Sequence, residues 1–364
     1  MQIEDTILKS EERVIMGLRN LYRMHGYSCF KMNKFEEYDL YSQNKDFLVS
    51  DSVITFNDTN GKLMALKPDV TLSIVKNYNE SDGGVYRLYY NENVYRVSEK
   101  THNYKEIMQM GVECLGDVTE YNLFEVAQLA ADSLKSISET CVLNISNLDI
   151  LSILLEEVKN EQGKAQMITC IGEKNAHGVR EMCKKYQVME KTAQILEALT
   201  CSYGESAQVI TRVRKLTEDV RILEALEQLE RVTEQLQAIT DITVRVDLSL
   251  TSDMSYYNGL VFQGFVEGIP SSVLKGGQYD RLMEKMGKSA KAVGFAVYLD
   301  LLERLKISTP YDVDVLLIYN TEDNMQELQR YVKMLTTAGK SVSVQTVMPS
   351  KLKYRELVYY SERK

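Results

Sequence analysis

A chain of 364 residues, 44% apolar and 26% charged, is long enough for two or three domains and has the make-up of an ordinary globular protein. Its formal charge of −9 and pI of about 5.2 give it no global attraction for phosphate backbones, which argues against a nucleic acid as the main partner. No apolar run is long enough to span a bilayer, so neither signal peptide nor membrane span is expected; the six cysteines, none in CxxC spacing, read as reduced thiols of a cytoplasmic protein without a metal site.

From the amino terminus, Ile7, Val14, Ile15, Leu18, Leu21 and Tyr22 recur at helical spacing up to Gly26, which predicts an amphipathic helix with a glycine stop. Residues 54–75 predict a hairpin turning over Asn57 to Gly61, then a helix entered through Pro68. In Lys67-Pro68-Asp69-Val70-Thr71 the acid and the hydroxyl have two readings: they cap that helix, or together they hold an ammonium group. Residues 85–115 predict two antiparallel strands around a polar loop from Ser98 to Asn103. Residues 117–138 predict an amphipathic helix through Leu123, Val126, Ala127, Leu129, Ala130 and Leu134, followed by a strand and another helix.

Residues 164–236 read as almost wholly helical. The run EALEQLERVTEQLQ holds fewer than three clear heptads, so a small helical insertion is expected rather than a coiled coil. Arg212, Arg214 and Lys215 form a basic cluster whose default reading is a solvated helix face. Beyond it, Val244, Val246 and Leu248 alternate as in a half-buried strand, and a turn is expected at 251–255. A β-rich segment holding Tyr256, Tyr257, Val261, Phe262 and Phe265 comes next, then Gly276-Gly277 as punctuation, a helix near Tyr279 and a second apolar helix near Ala292. Tyr256 and Tyr257 suit a small-molecule pocket wall and equally suit a core. Residues 311–364 predict a βαβα unit with parallel pairing, its last helix in KLKYRELVYY.

The order YYNGLVF, GGQYDRL, AVGFAVYLDLL resembles the catalytic domain of histidyl-tRNA synthetases, whose patterns run RGLDYYTG, GGRYD and GFAIGLER. The resemblance implies an α+β fold: a class II synthetase-like antiparallel sheet flanked by helices over residues 1–308, with the helical insertion at about 164–238. Residues 309–364 would be a truncated anticodon-binding-like α/β domain. FKMNKFEEYDLY falls on the first class II motif, which usually lies in a dimer interface, so a homodimer is implied; Asn33 stands at that motif's proline. Residues 85–115 resemble the second motif. Arg96 is retained at the arginine that clamps carboxylate and phosphate, Ser98 replaces a glutamate, and Lys105 replaces an arginine that helps hold ATP.

A histidine site follows from the same resemblance: Asp69, Thr71 and Gln109 for the ammonium, Arg96 for the carboxylate, and Glu113 with Tyr256 and Tyr257 for the imidazole. The nucleotide side departs from the pattern. Ser252 stands at a catalytic arginine, Ser255 at an aspartate, Tyr298 at a glycine, and Leu301 at the arginine that holds the ATP phosphates. Losing one well-placed donor typically lowers a rate by roughly 100- to 1000-fold, so no aminoacylation, cofactor or catalytic residue is expected.

The aspartate of KPDVT, the VDLS segment and the YLDLL ending resemble the regulatory subunits of ATP phosphoribosyltransferase, non-catalytic paralogues of the synthetase. Members of that family associate with a short catalytic subunit in the first step of histidine biosynthesis and relay histidine feedback. The implied partner is therefore that subunit, with histidine as ligand and tRNA not expected. Two other readings stay open: a divergent histidyl-tRNA synthetase with replacement cations, and a synthetase-like module that binds an amino acid or RNA for another regulatory purpose.

Overall fold

In the computed structural model, which describes residues 10–48, 53–80, 83–98, 102–251, 254, 256–304 and 311–363, the chain divides into two compact units, Met1–Leu305 and Lys306–Lys364. The first unit opens with α1 (Ser10–Met24), which buries Leu18 and Tyr22 completely. Gly26 takes φ 79°, a left-handed value that lets the chain leave the helix without a Cβ clash. Ile7, the first residue of the predicted stripe, lies outside the described residues. Short strands β1 (Ser28–Cys29) and β2 (Phe35–Glu37) and a one-turn helix α2 (Tyr38–Ser42) follow. The predicted hairpin is β3 (Thr55–Asn57) with β4 (Leu63–Leu66), and β2 joins it in a three-stranded sheet ordered β2-β4-β3. Helix α3 (Thr71–Asn77) begins just past Pro68.

The long hairpin is β5 (Val85–Val97) with β6 (Tyr104–Gly116), thirteen residues each, antiparallel along their whole length. Helix α4 (Glu120–Ile137) starts at a reciprocal Thr119–Asn122 cap and buries the predicted stripe, including Leu129, Ala130 and Leu134. After β7 (Cys141–Asn147) and α5 (Leu148–Leu154) comes the helical block. It contains α6 (Glu161–Gly172), α7 (Ala176–Lys185), α8 (Glu190–Thr200), the two-residue strand β8 (Tyr203–Gly204), α9 (Ser206–Arg214) and α10 (Val220–Ile239). Helix α10 buries Ile222, Leu226, Leu229, Val232 and Leu236 within the unit's own core. In the basic cluster, Arg214 is committed to an ion pair with Glu230 at 2.6 Å.

The unit is completed by β9 (Thr243–Asp247), β10 (Asn258–Val266), β11 (Leu274–Gln278), α11 (Asp280–Lys285) and β12 (Lys291–Tyr298). Among the described residues these strands build a nine-stranded sheet ordered β1-β5-β6-β12-β11-β10-β7-β9-β8. Pairing is antiparallel except at β1/β5 and β7/β9. Because side chains alternate along a strand, Met110, Val112 and Cys114 of β6 join the main core with α1 and α4. Gln109, Gly111 and Glu113 therefore face the other side, where a second core holds Tyr90, Tyr256 and Tyr279.

Three expectations from periodicity are corrected. Ala292 does not open a helix: it lies in β12, hydrogen-bonded to β6 on one side and β11 on the other. A strand covered on both faces shows an unbroken apolar run, here AVGFAV, which spacing does not separate from a buried helix. Gly276 and Gly277 are not a turn but the interior of β11, where a Cβ would fall 2.4 Å from Phe295 Cβ and 2.7 Å from the Leu260 carbonyl oxygen, respectively. Glycine there permits close approach of neighbouring strands. The tyrosine pair also lies just before β10 and not within it.

In the second unit, β13 (Val313–Ile318), α12 (Met325–Thr337) and β14 (Val342–Gln345) match the predicted strand, helix and strand, with Gly339 at φ 79° after α12. KLKYRELVYY is not a helix. Its residues Tyr354–Tyr359 form β15, which pairs in parallel with β13 in a sheet ordered β14-β13-β15. The open edge of β13 supplies a ladder that local propensity does not foresee. Val315, Leu317, Leu328, Leu335 and Val358 are the core of this unit.

Candidate functional site

On the second face of the large sheet lies a cavity of about 60 Å³ that is partly open to solvent. The register builds its floor in rows. Gly277 of β11 pairs with Gly294 of β12, which pairs with Glu113 of β6; the next row is Lys275, Ala296, Gly111 and Tyr90; the third joins Tyr298 to Gln109. Small residues keep the floor low. A Cβ on Gly294 would fall 1.8 Å from Glu113 Oε2, and one on Gly111 would fall 2.7 Å from the Tyr90 hydroxyl.

All seven predicted residues line this one cavity: Asp69, Thr71, Arg96, Gln109, Glu113, Tyr256 and Tyr257. Glu113 is 2% exposed, and each of its oxygens accepts a hydroxyl hydrogen bond: Oε1 from Thr71 at 2.7 Å, Oε2 from Tyr279 at 2.6 Å. Burial raises its carboxyl most, the Tyr279 and Thr71 hydroxyls pull it down and the charge of Asp69 pushes it up, which together bring it to about 8. Near neutrality Glu113 therefore holds a proton in this setting. Burial also raises Asp69, against the pull of the Leu72 N–H and the Arg96 charge. The Leu72 N–H donates to Asp69 Oδ1 at 2.8 Å, so Asp69 does cap α3 while lining the cavity; Thr71 turns instead to Glu113. Of the two readings, capping of α3 is met by Asp69 and not by Thr71.

Arg96 is half-buried, and its Nε donates to the Pro68 carbonyl at 3.0 Å, which ties β5 to the loop carrying Asp69. Beside it, fully buried Lys67 pairs with Glu92. Gln109 is 4% exposed, and its amide has no hydrogen-bond partner among the described residues, which leaves a donor and an acceptor on the cavity wall. Aromatic rings enclose the acid. Tyr256 meets Tyr257 edge to face at 4.7 Å, Tyr279 at 5.9 Å and Phe47 at 6.2 Å. Burial raises the hydroxyls of Tyr90, Tyr256 and Tyr279 well above the ordinary tyrosine range, so they stay protonated and available as donors.

Sequence reasoning missed four contributors: Phe47, Tyr90, Lys275 and Tyr279. Tyr279 stood inside the quoted GGQYDRL, and Tyr90 and Lys275 are brought inward by strand register; no signal marked Phe47. Of the positions on the nucleotide side, Tyr298 lines the cavity, Leu301 packs against the main core, and Lys105 is exposed on β6 opposite Arg96. Ser252 and Ser255 lie outside the described residues. An acid with two hydroxyl partners, an unpartnered amide and a ring of aromatics suit a small ligand with an apolar, N–H-bearing ring. Tyr279→Phe removes one hydroxyl from Glu113, and is expected to weaken such a ligand about tenfold in calorimetry while the fold is retained.

The chain as a whole is similar to known proteins. Residues 4–302 match the family model described as histidyl-tRNA synthetase. The chain is 28% identical to an ATP phosphoribosyltransferase regulatory subunit of Oceanobacillus iheyensis, over 98% of this chain and 89% of that protein. A solved structure titled as an ATP phosphoribosyltransferase regulatory subunit/histidyl-tRNA synthetase from Bacillus halodurans superposes with a TM-score of 0.77, at 24% identity, covering 99% of both chains. A chain of the ATP phosphoribosyl transferase (HisG:HisZ) complex from Thermotoga maritima does so with a TM-score of 0.63, at 18% identity, covering 82% of this chain and 98% of that one. These likenesses agree with the α+β, class II synthetase-like architecture.

Proposed function

The chain belongs to the histidyl-tRNA synthetase family, and from that premise we propose that it serves histidine biosynthesis as a regulatory subunit of ATP phosphoribosyltransferase, with no aminoacylation activity of its own. One observation carries the reading: the cavity holds an acid, an amide and aromatic faces for an imidazole-bearing amino acid, while Tyr298 stands in its lining and Leu301 packs, partly buried, against the main core. By the family pattern those two positions belong to a glycine and a phosphate-holding arginine. Activating an amino acid develops charge at phosphate, and catalysis of that step depends on preorganised cations.

Histidine is the ligand in this reading. Asp69, Thr71 and Gln109 receive its ammonium, Arg96 its carboxylate, and Glu113 with Tyr256 and Tyr257 its imidazole. The partner is a short catalytic subunit of ATP phosphoribosyltransferase, in a hetero-oligomer that also uses a synthetase-like homodimer contact near β2. The phosphoribosyl chemistry belongs to the partner, and the place of action is the cytoplasm. No helix among the described residues is long and apolar enough to cross a membrane. Regulation follows from linkage: histidine shifts the assembly by the difference in its affinity for the active and inactive arrangements.

The test measures the activity of a short catalytic subunit with and without this chain, each with and without histidine, together with histidine-dependent pyrophosphate exchange by this chain alone. Activity that requires this chain and falls with histidine, with no exchange, is the expected result. Exchange by the isolated chain sinks the proposal.

A further inference from the structure

The cavity contains a cation that the family pattern does not assign. Lys275 lies on β11, where the register sets it in one row with Ala296, Gly111 and Tyr90, and it lines the cavity. The two residues between Lys275 and Tyr90 are an alanine and a glycine, so this row of the floor is low, with the rows of Glu113 and Gln109 on either side of it. Strand geometry sets each of those rows about 7 Å from the row of Lys275 along the chain, with about 5 Å between neighbouring strands. Arg96 stands elsewhere. It pairs with Lys105, whereas Gln109 pairs with Glu92, so Arg96 is four residues, about 13 Å, further out along the hairpin. Lys275 is thus set deeper than Arg96, among the groups that would meet the ring and ammonium of an amino acid. Lys275 and Tyr257 also share a second, smaller hollow, which joins the lysine to the aromatic wall.

We propose that Lys275 supplies a cation for the carboxylate of the amino acid bound in this cavity, as the inner partner of Arg96. This rests on the histidine reading above. A lysine ammonium is a compact charge with three donors on a flexible stem, suited to a carboxylate whose approach is set by other contacts. The ring and ammonium contacts come from Glu113, Asp69 and Gln109, so the role of Lys275 is confined to the anionic end of the ligand.

Calorimetry on the full chain, with histidine and with histamine, which lacks only the carboxylate, separates the possibilities. Lys275→Met is expected to weaken histidine at least tenfold and leave histamine unchanged, and Lys275→Arg is expected to restore part of the loss. Unchanged histidine affinity in Lys275→Met overturns the assignment. So does a parallel loss of both ligands in a variant that keeps the wild-type melting temperature, since that points to cavity shape and not to the carboxylate. If the wild-type chain binds neither ligand, alone or with its catalytic partner, the histidine reading fails and Lys275 falls with it; failure of Lys275 alone leaves that reading standing.

Discussion

Gly294→Ala should abolish histidine binding and lower the stability of the first unit by about 3 kcal/mol, at the upper end of what overpacking usually brings. The added methyl would stand 1.8 Å from Glu113 Oε2 and 2.6 Å from the Val112 carbonyl oxygen. Glu113 has little freedom to retreat, because Thr71 and Tyr279 hold its two oxygens. The carbonyl has none, since it belongs to the ladder joining β6 to β12. Either the strands separate locally or the acid leaves its position, and in both cases the floor of the cavity is lost. A melting temperature lowered by several degrees together with undetectable histidine in calorimetry is the expected pair of results. A variant with wild-type affinity would show that Glu113 does not form the ligand's seat.

Glu113→Gln should make the protein more resistant to denaturant as pH rises. Burial places the carboxyl at about 8 in the folded chain, against roughly 4.3 in an unfolded one. Between those values the folded state holds a proton that the unfolded state has released. Wild-type stability therefore falls as pH rises through this window, by up to about 1.4 kcal/mol per pH unit, and levels off above it. Glutamine has the same shape and no charge to bury, so its gain over wild type should be small near pH 5 and reach a few kcal/mol by pH 8, read from urea midpoints at several pH values. Because the comparison is between two chains differing at one position, titration of Asp69 and the tyrosines contributes to both and cancels to first order. Parallel pH profiles for the two chains would mean that Glu113 is ionised in the folded state. Histidine affinity of the same variant should fall, since an amide nitrogen, which cannot accept, replaces one of the two oxygens that take hydroxyl hydrogen bonds from Thr71 and Tyr279.

The elements legible in the sequence are those whose pattern is local. Helix α4 and the β5/β6 hairpin carry their own periods and stops and came out within a few residues of their predicted limits, and residues 164–236, read as almost wholly helical, hold a run of helices. Strand β12 did not, because burial on both faces erases alternation. Strand β15 did not, because its ladder is provided by β13, some forty residues earlier in the chain. The site was legible through the order of family motifs and not through chemistry. Its acid, amide and arginine sit on one hairpin, but Asp69 and Thr71 arrive from the start of α3 and the tyrosines from the approach to β10.

What the sequence by itself determined is the kind of protein: an acidic two-part chain whose motifs assign it to the synthetase family. What only the tertiary structure decided is the company each side chain keeps. Pairing of β6 with β5 on one side and β12 on the other selects which residues share the floor, so that a lysine of β11 and a tyrosine of GGQYDRL join the cavity while Leu301 packs against the main core. The physical reason is that hydrogen-bonded register acts between segments far apart in the chain, and a shift of one residue would turn Glu113 and Lys275 to the opposite face.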